Sequence, residues 1–357
     1  MSKVKFGDVV RRANTKEDRH NTDKLYYVGG EHIESNEVLI ENRGLIEGST
    51  IGPMFYFGFK AGDILFVSRN PHLRKAGMVT FDGICSEKTF VLETKDESVL
   101  MQRYLAFVMQ SDHFWSHMEA HKSGSVNFFI NWSTLEKYEF ELPDIEKQKS
   151  MSEMLWAIND TKNRYKTLIS KTEGLIKSKF AEMFGPIDSE GVFPRVQWKE
   201  VLSIINGKDY KAVLQEDGEY PVYGTGGVMA RASQYLCPEN SVLMGRKGTI
   251  DNPLLVREKF WNVDTAFGVV PNPERLNCVY LHWYCKQLDY TKLNKATTLP
   301  STTKSDLLNL WINLPDMNQQ LEFDSFVEKC EKSISELKQS IGNLCALERS
   351  ILAENFN

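Results

Sequence analysis

Three histidines, His113, His117 and His121, recur every fourth residue and so share one face of a helix. That spacing can hold zinc or another transition metal, although a solvent-facing histidine stripe has the same spacing. The text pattern of a metal-dependent nuclease, Pro-Asp followed by Asp/Glu-x-Lys, occurs as Pro143-Asp144 with Asp160-x-Lys162. It occurs again as Pro315-Asp316 with Glu336-x-Lys338. Such a site needs its acids and lysine to converge, whereas these second pairs fall inside long helical heptads and read as solvated flanks. Other chemistries are missing. A P-loop needs G-x-x-x-x-G-K-[ST]; "GRKGTI" (245–250) lacks that spacing, and "YGTGGV" (223–228) is not a dinucleotide fingerprint. There is no G-x-S-x-G elbow and no H-E-x-x-H helix. The six cysteines form no C-x-x-C pair, which disfavours thiolate zinc and fits reduced thiols.

With no catalytic constellation, the polar information lies in basic, hydroxyl-rich turns. "SRNPHLRKAG" (68–77) carries Arg69, His72, Arg74 and Lys75 without an acid, and "GRKGT" (245–249) carries Arg246 and Lys247. "KLNKATTLPSTTK" (292–304) supplies Lys295, Thr297, Thr298, Ser301 and Lys304. Lysines and hydroxyls suit phosphates, and arginine can pair bidentately with guanine. With Lys122 and Tyr223, these residues form the candidate DNA-contact set. The net charge of −5 argues against indiscriminate coating of nucleic acid, but not against local basic clefts. Hydrophobic content of 41% with 25% charged residues is that of a soluble protein. No apolar run approaches the roughly 18 residues of a membrane span. "MSKVKFGDVV" lacks an apolar signal region, so a cytoplasmic protein is expected.

The elements that would position these loops occur twice. "FELPD" (140–144) and "INLPD" (312–316) end alike at an offset of 172, which continues through Gln148 and Gln320 to "AEMF" (181–184) and "AENF" (353–356). Upstream the offset becomes 177, matching Arg69 to Arg246 and "DILFVSR" (63–69) to "NSVLMGR" (240–246). Near each start it is 192, matching "VKFGDVV" (4–10) to "VQWKEVL" (196–202). Loops of unequal length between shared elements produce such drift, so the chain reads as two homologous halves. Each half opens with short β-branched and aromatic runs and an apolar helix, then a long helix following Pro143 or Pro315. Phe323, Cys330, Leu337, Leu344 and Ile351 are spaced by seven, with Val327, Ile334 and Ile341 between them. Met151, Ile158, Tyr165 and Thr172, with Leu155, Leu168, Ile169, Leu175 and Ile176, give the first helix a similar seam. So narrow a seam reads as two helices pairing with each other.

"YPVYGTGGV" (220–228), "SVLMGRKGTI" (241–250), "FWNVDTAF" (260–267) and "TTLPSTTKSDLLNLWINLPDMNQQ" (297–320) resemble the specificity subunit of type I restriction–modification systems. "YYVGGEHI" (26–33), "AGDILFVSR" (61–69) and "FELPDIEKQ" (140–148) stand in the same order in the first half, with "SRNPH" in place of "GRKGT". The resemblance implies an α+β fold: two homologous mixed α/β target recognition domains separated by two long antiparallel helices forming a coiled coil. The expected boundaries are 1–143 and 185–315 for the recognition domains, with spacer helices at 144–184 and 316–357. It further implies a non-catalytic subunit that reads a bipartite site on double-stranded DNA. Two methyltransferase subunits and restriction/translocase subunits are the implied partners. S-adenosylmethionine, ATP and Mg are then expected only in those partners, with no cofactor and no membrane for this chain. The absence of an (N/D)-P-P-(Y/F) motif fits that division of labour. A non-catalytic two-domain protein-interaction scaffold is the alternative.

Overall fold

The computed structural model describes residues 2–187, 192–293 and 301–356. The chain divides into two units: Met1–Lys166 with Lys338–Asn357, and Thr167–Leu337. Each unit therefore contains part of both long helices.

In the first unit the strands are β1 (Ser2–Lys5), β2 (Val10–Ala13), β3 (Tyr26–Val28), β4 (Leu39–Ile40), β5 (Gly44–Leu45) and β6 (Phe55–Phe59). They continue as β7 (Ile64–Val67), β8 (Ala76–Val79), β9 (Gly83–Ser86), β10 (Thr89–Thr94) and β11 (Glu139–Leu142). They form a five-stranded sheet, β2-β10-β7-β8-β4, a four-stranded sheet, β5-β3-β9-β6, and the pair β1-β11. Strand β7 explains why "DILFVS" is a continuous apolar run. Ile64 and Phe66 enter one core with Phe90, Phe114 and Trp115, while Leu65 and Val67 enter a second with Val28, Phe59 and Val79. A strand covered on both faces has no polar side to alternate with.

The second unit repeats this plan with β12 (Arg195–Gln197), β13 (Leu202–Asn206), β14 (Tyr220–Gly224), β15 (Gly227–Ala232) and β16 (Ser241–Gly245). They are followed by β17 (Leu254–Val256), β18 (Trp261–Asn262), β19 (Ala266–Pro271) and β20 (Trp311–Asn313). Its sheets are β13-β19-β16-β17, β15-β14-β18 and β12-β20. Pairing between strands corrects one sequence match. In the first unit Leu92 faces Ile64 and Phe90 faces Phe66; in the second Val269 faces Val242 and Phe267 faces Met244. With β10 and β19 aligned at 177, β7 and β16 are therefore offset by 178. Lys247 takes the place of Arg69, and Arg246 that of Ser68. The slip is invisible in the sequence because every residue of β7 and β16 is buried, so neither face marks the register.

The helices used below are α1 (Gln102–Val108), α2 (Asp112–Ala120), α3 (Ile145–Phe184), α4 (Cys278–Cys285) and α5 (Met317–Asn355). In both units a buried glutamine in the first turn of the long helix ties that helix to the sheet domain. Gln148 accepts from the Met101 amide at 3.0 Å and donates to the Val99 and Pro143 carbonyls, each at 2.9 Å. Gln320 accepts from the Asn277 amide at 2.8 Å and donates to the Arg275 and Pro315 carbonyls at 3.2 and 2.9 Å. Both side chains are fully buried. Asp144 and Asp316 cap the same turns by accepting from the Lys147 and Gln319 amides, satisfying donors that the helix leaves free.

The long helices run antiparallel within each unit. In the first, Met151, Leu155 and Trp156 of α3 share a core with Leu352 of α5 and with Phe356 just beyond its end, and Phe356 stacks on Tyr104 at 5.0 Å. In the second, Phe180 and Phe184 of α3 meet Phe323 of α5 at 5.4 and 5.5 Å, and both pack on Tyr280 of α4. The heptad reading needs three corrections. Leu168 and Leu175 face outward, 48% and 55% exposed. Trp156 and Asn159 are buried although they lie outside the assigned seam. Lys162 is buried and pairs with Glu348 at 2.5 Å, rather than lying on a solvated flank.

Candidate DNA interface

In the first unit the basic turn follows directly from β7. Ser68 donates its amide to the Lys88 carbonyl at 2.8 Å and accepts from the Ile130 amide at 2.8 Å. The Asn70 amide donates to the Phe128 carbonyl at 2.9 Å, and Arg69 lies opposite Phe129 in an isolated β-bridge. The Arg69 guanidinium sits 5.3 Å from the Phe129 ring centroid. Phe129 and Ser123 exchange backbone bonds at 2.9 and 3.0 Å, which closes a loop carrying Ser125, Val126 and Asn127 at its exposed tip. Gly124 permits this loop: its φ is +95°, and a Cβ there would lie 2.6 Å from the Asn127 carbonyl oxygen.

The other candidate cations of this unit have partners. Arg74 pairs with Asp112 at 2.6 Å, Lys75 donates to the Gly30 carbonyl at 2.5 Å, and Lys122 pairs with Glu119 at 2.7 Å. Lys122 also lies 4.3 Å from the Phe128 ring centroid. Asp112 and the Gly30 carbonyl come from other segments, so an acid-free stretch of sequence does not make its cations free, while Glu119 stands only three residues before Lys122.

The histidine stripe does not converge on a metal. His113 Nδ1 lies 2.8 Å from the Tyr138 hydroxyl, while the His117 and His121 rings stack at 4.1 Å. Burial, then the neighbouring His121 and His113, lowers the His117 pKa from its ordinary value. Among the described residues no group of three or more His, Cys, Asp or Glu side chains is placed to hold an ion.

The second unit builds the same junction from different residues. Arg246 donates its amide to the Thr265 carbonyl at 2.8 Å and accepts from the Thr302 amide at 3.1 Å. Lys247 faces Ser301 in an isolated bridge, just as Arg69 faces Phe129. The Thr302 hydroxyl donates to the Gly245 carbonyl at 3.2 Å. Only glycine fits at 245, since a Cβ would come within 2.0 Å of the Thr249 carbonyl oxygen. The Arg246 guanidinium lies 5.8 Å from the Phe267 ring centroid. Neither Arg246 nor Lys247 forms an ion pair among the described residues. Lys304 is exposed at the start of a short helix capped by Thr303. The Tyr223 hydroxyl donates to Glu258 at 3.4 Å; burial, then that carboxylate, raises its pKa. Lys295, Thr297 and Thr298 lie outside the described residues.

The structure thus brings Arg69 to the 123–130 loop, and Arg246 and Lys247 to Ser301 and Thr302. Thr302 and Phe129 are additions to the candidate set, and the two buried glutamines are helix anchors outside it. The glutamines had a sequence signal, a match at the offset of 172 just after each Pro-Asp.

A duplicated α+β module, with a loop-to-loop junction repeated in each copy and two long helices, defines the class: a two-module recognition protein. A family model described as "Type I restriction modification DNA specificity domain" matches residues 3–171 and 194–344, and the chain belongs to that family, the DNA specificity subunits of type I restriction–modification systems. The chain is similar in fold to the type I restriction–modification S subunit from M. genitalium, with a TM-score of 0.66 and 14% identity over 100% of this chain and 96% of that one. It is also similar to a chain from a structure titled for complex assembly and conformational transition of the type I R-M system. There the TM-score is 0.58 at 18% identity, over 100% and 97% of the two chains. No curated protein matches the sequence significantly.

Proposed function

We propose that each unit reads one part of a bipartite site on duplex DNA, and that the chain is a non-catalytic subunit to which two methyltransferase subunits and restriction/translocase subunits attach. The observation carrying this reading is the junction built twice. Arg69 beside Phe129 and Ser68 bonded to Ile130 answer to Lys247 beside Ser301 and Arg246 bonded to Thr302. One scaffold with different side chains is what two readers of different base sequences require. Backbone bonds from the residues that follow β7 and β16 hold Phe128, Ile130 and Thr302 in place, so side chains at these junctions can meet phosphates and base edges with little further ordering. S-adenosylmethionine, ATP and Mg belong, in this reading, to the partner subunits. No helix among the described residues is long and apolar enough to cross a membrane; a cytoplasmic complex fits that.

The test is reconstitution. The purified chain alone should neither methylate nor cut DNA, and methyl transfer from S-adenosylmethionine should appear when methyltransferase subunits are added. Methyl transfer by the chain alone would overturn the reading.

A further inference from the structure

Strands β14 and β15 of the second unit form a hairpin around Thr225 and Gly226 whose register slips near its tip. Gly224 faces Gly227 and Tyr223 faces Val228, but Val222 faces Ala230. Met229 is therefore an extra residue, a β-bulge. In a regular strand Val228 and Met229 would point to opposite faces, whereas a bulge can turn both to one side. Here both are exposed, at 57% and 61%. The Met229 thioether lies over Gly224, where a Cβ would come within 2.5 Å of its sulfur. In the first unit the corresponding pair is regular at its two positions, Tyr26 to Leu45 and Tyr27 to Gly44, and the irregularity of that sheet lies instead between β6 and β9, at Phe55–Phe57.

Two adjacent large apolar side chains held in solvent on an edge strand are an aggregation hazard unless a partner uses them. What surrounds them indicates the partner. The Tyr223 carbonyl accepts from the Val263 amide at 3.1 Å, and two residues on, the Thr265 carbonyl accepts from both Arg246 (2.8 Å) and Lys247 (3.4 Å). Val263 to Ala266 form a turn closed by the Ala266 amide on the Val263 carbonyl at 2.9 Å, and two residues span at most about 7 Å, so the apolar tip adjoins the pair of cations that form no ion pair among the described residues. Asp264, exposed within that same segment, and Glu258 beside Tyr223 disfavour a phosphate at the tip itself. A surface that meets anions at one end and an uncharged apolar group at the other matches the backbone and base edges of duplex DNA. The apolar group available on a base edge is the 5-methyl of thymine in the major groove.

We propose that Val228 and Met229 are the apolar reading element of the second unit and contact a thymine methyl in the half-site which that unit recognises. The proposal rests on the DNA-reading function above.

The experiment uses the chain assembled with its methyltransferase subunits. The preferred site is first selected from randomised duplex DNA, and each thymine is then replaced singly by uracil, which removes only the methyl. Losing contact with one buried methyl corresponds to about 0.8 kcal/mol, or about a fourfold loss of affinity. A loss of that size is expected at one or two thymines of one half-site. It should disappear in V228S/M229S and in the single variant M229Q, while preferences at the other half-site are retained. Uracil without effect at every position, or unchanged uracil sensitivity in these variants, overturns the proposal. So does failure of the variants to assemble with methyltransferase subunits, which would make the tip a protein contact. The wild-type uracil scan needs no variant to fold. If the wild-type assembly selects no sequence at all, the DNA-reading function itself falls.

Discussion

Replacing either Lys162 or Glu348 singly should destabilise the first unit far more than replacing both. The two side chains are 7% and 13% exposed, lie 2.5 Å apart and join α3 to α5. Beside them Asn159 is 1% exposed, with neither amide atom bonded to a partner among the described residues. At this depth a charge left alone is shielded from bulk solvent. Lys162→Ala strands the Glu348 carboxylate and Glu348→Ala strands the ammonium, at about 3–5 kcal/mol each. For a unit of this size each kcal/mol moves Tm by about 2–4 °C, so each single variant should unfold roughly 6–20 °C earlier. The double variant K162M/E348L removes both charges and keeps apolar volume, and should lie near wild type or above it. Thermal unfolding followed by circular dichroism measures all three. Single variants within about 1 kcal/mol of wild type would show that water reaches the pair, and the reasoning from its burial would fail.

Arg246→Ala should relax base preference in one half-site by about 1–3 kcal/mol if the guanidinium pairs with a base, whereas Lys247→Ala at a phosphate should weaken all sequences alike. Selection from randomised DNA separates these outcomes, and equal relaxation in both half-sites would count against two independent readers. One heptad inserted after Tyr165 and another after Leu337 adds about 10.5 Å of helix at the places where the two units divide. The unspecified gap in the selected sites should lengthen by about three base pairs, and a constant gap would exclude the helices as the ruler. Asp63 is buried, which raises its pKa to about 6, with Glu93 contributing. Its folded pKa lies above the unfolded value, so the stability it confers is complete below about pH 4 and lost as pH rises through 6. The Tm of Asp63→Asn relative to wild type should accordingly climb between pH 4 and 7, and a flat difference across that range would contradict the burial argument.

Duplication was legible in the sequence because turn chemistry and buried polar residues repeat along with the apolar ones. Pro143-Asp144 and Pro315-Asp316 begin the helices, and Gln148 and Gln320 anchor them. The strand register was not legible. With β7 and β16 buried on both faces, hydrophobicity reads the same after a one-residue slip, and only the backbone pairing shows that Lys247 replaces Arg69. Spacing by seven located the α5 seam, where Phe323, Val327, Cys330 and Ile334 are buried. On α3 it also swept in Leu168 and Leu175, since leucine on an outward stripe obeys the same period. Lys162 passed for a solvated flank because its partner Glu348 lies 186 residues away. Arg74 was over-read for a similar reason, since its partner Asp112 belongs to α2 rather than to the basic turn, whereas Glu119, three residues before Lys122, was there to be read in the sequence.

The most direct measurement is methylation of a randomised duplex library by the chain assembled with methyltransferase subunits, followed by sequencing of the modified molecules. Two independent readers predict two short specified segments separated by an unspecified gap of constant length. They also predict that Arg246→Ala alters only one of the segments. A single contiguous motif, or modified molecules with no shared sequence, would contradict the account.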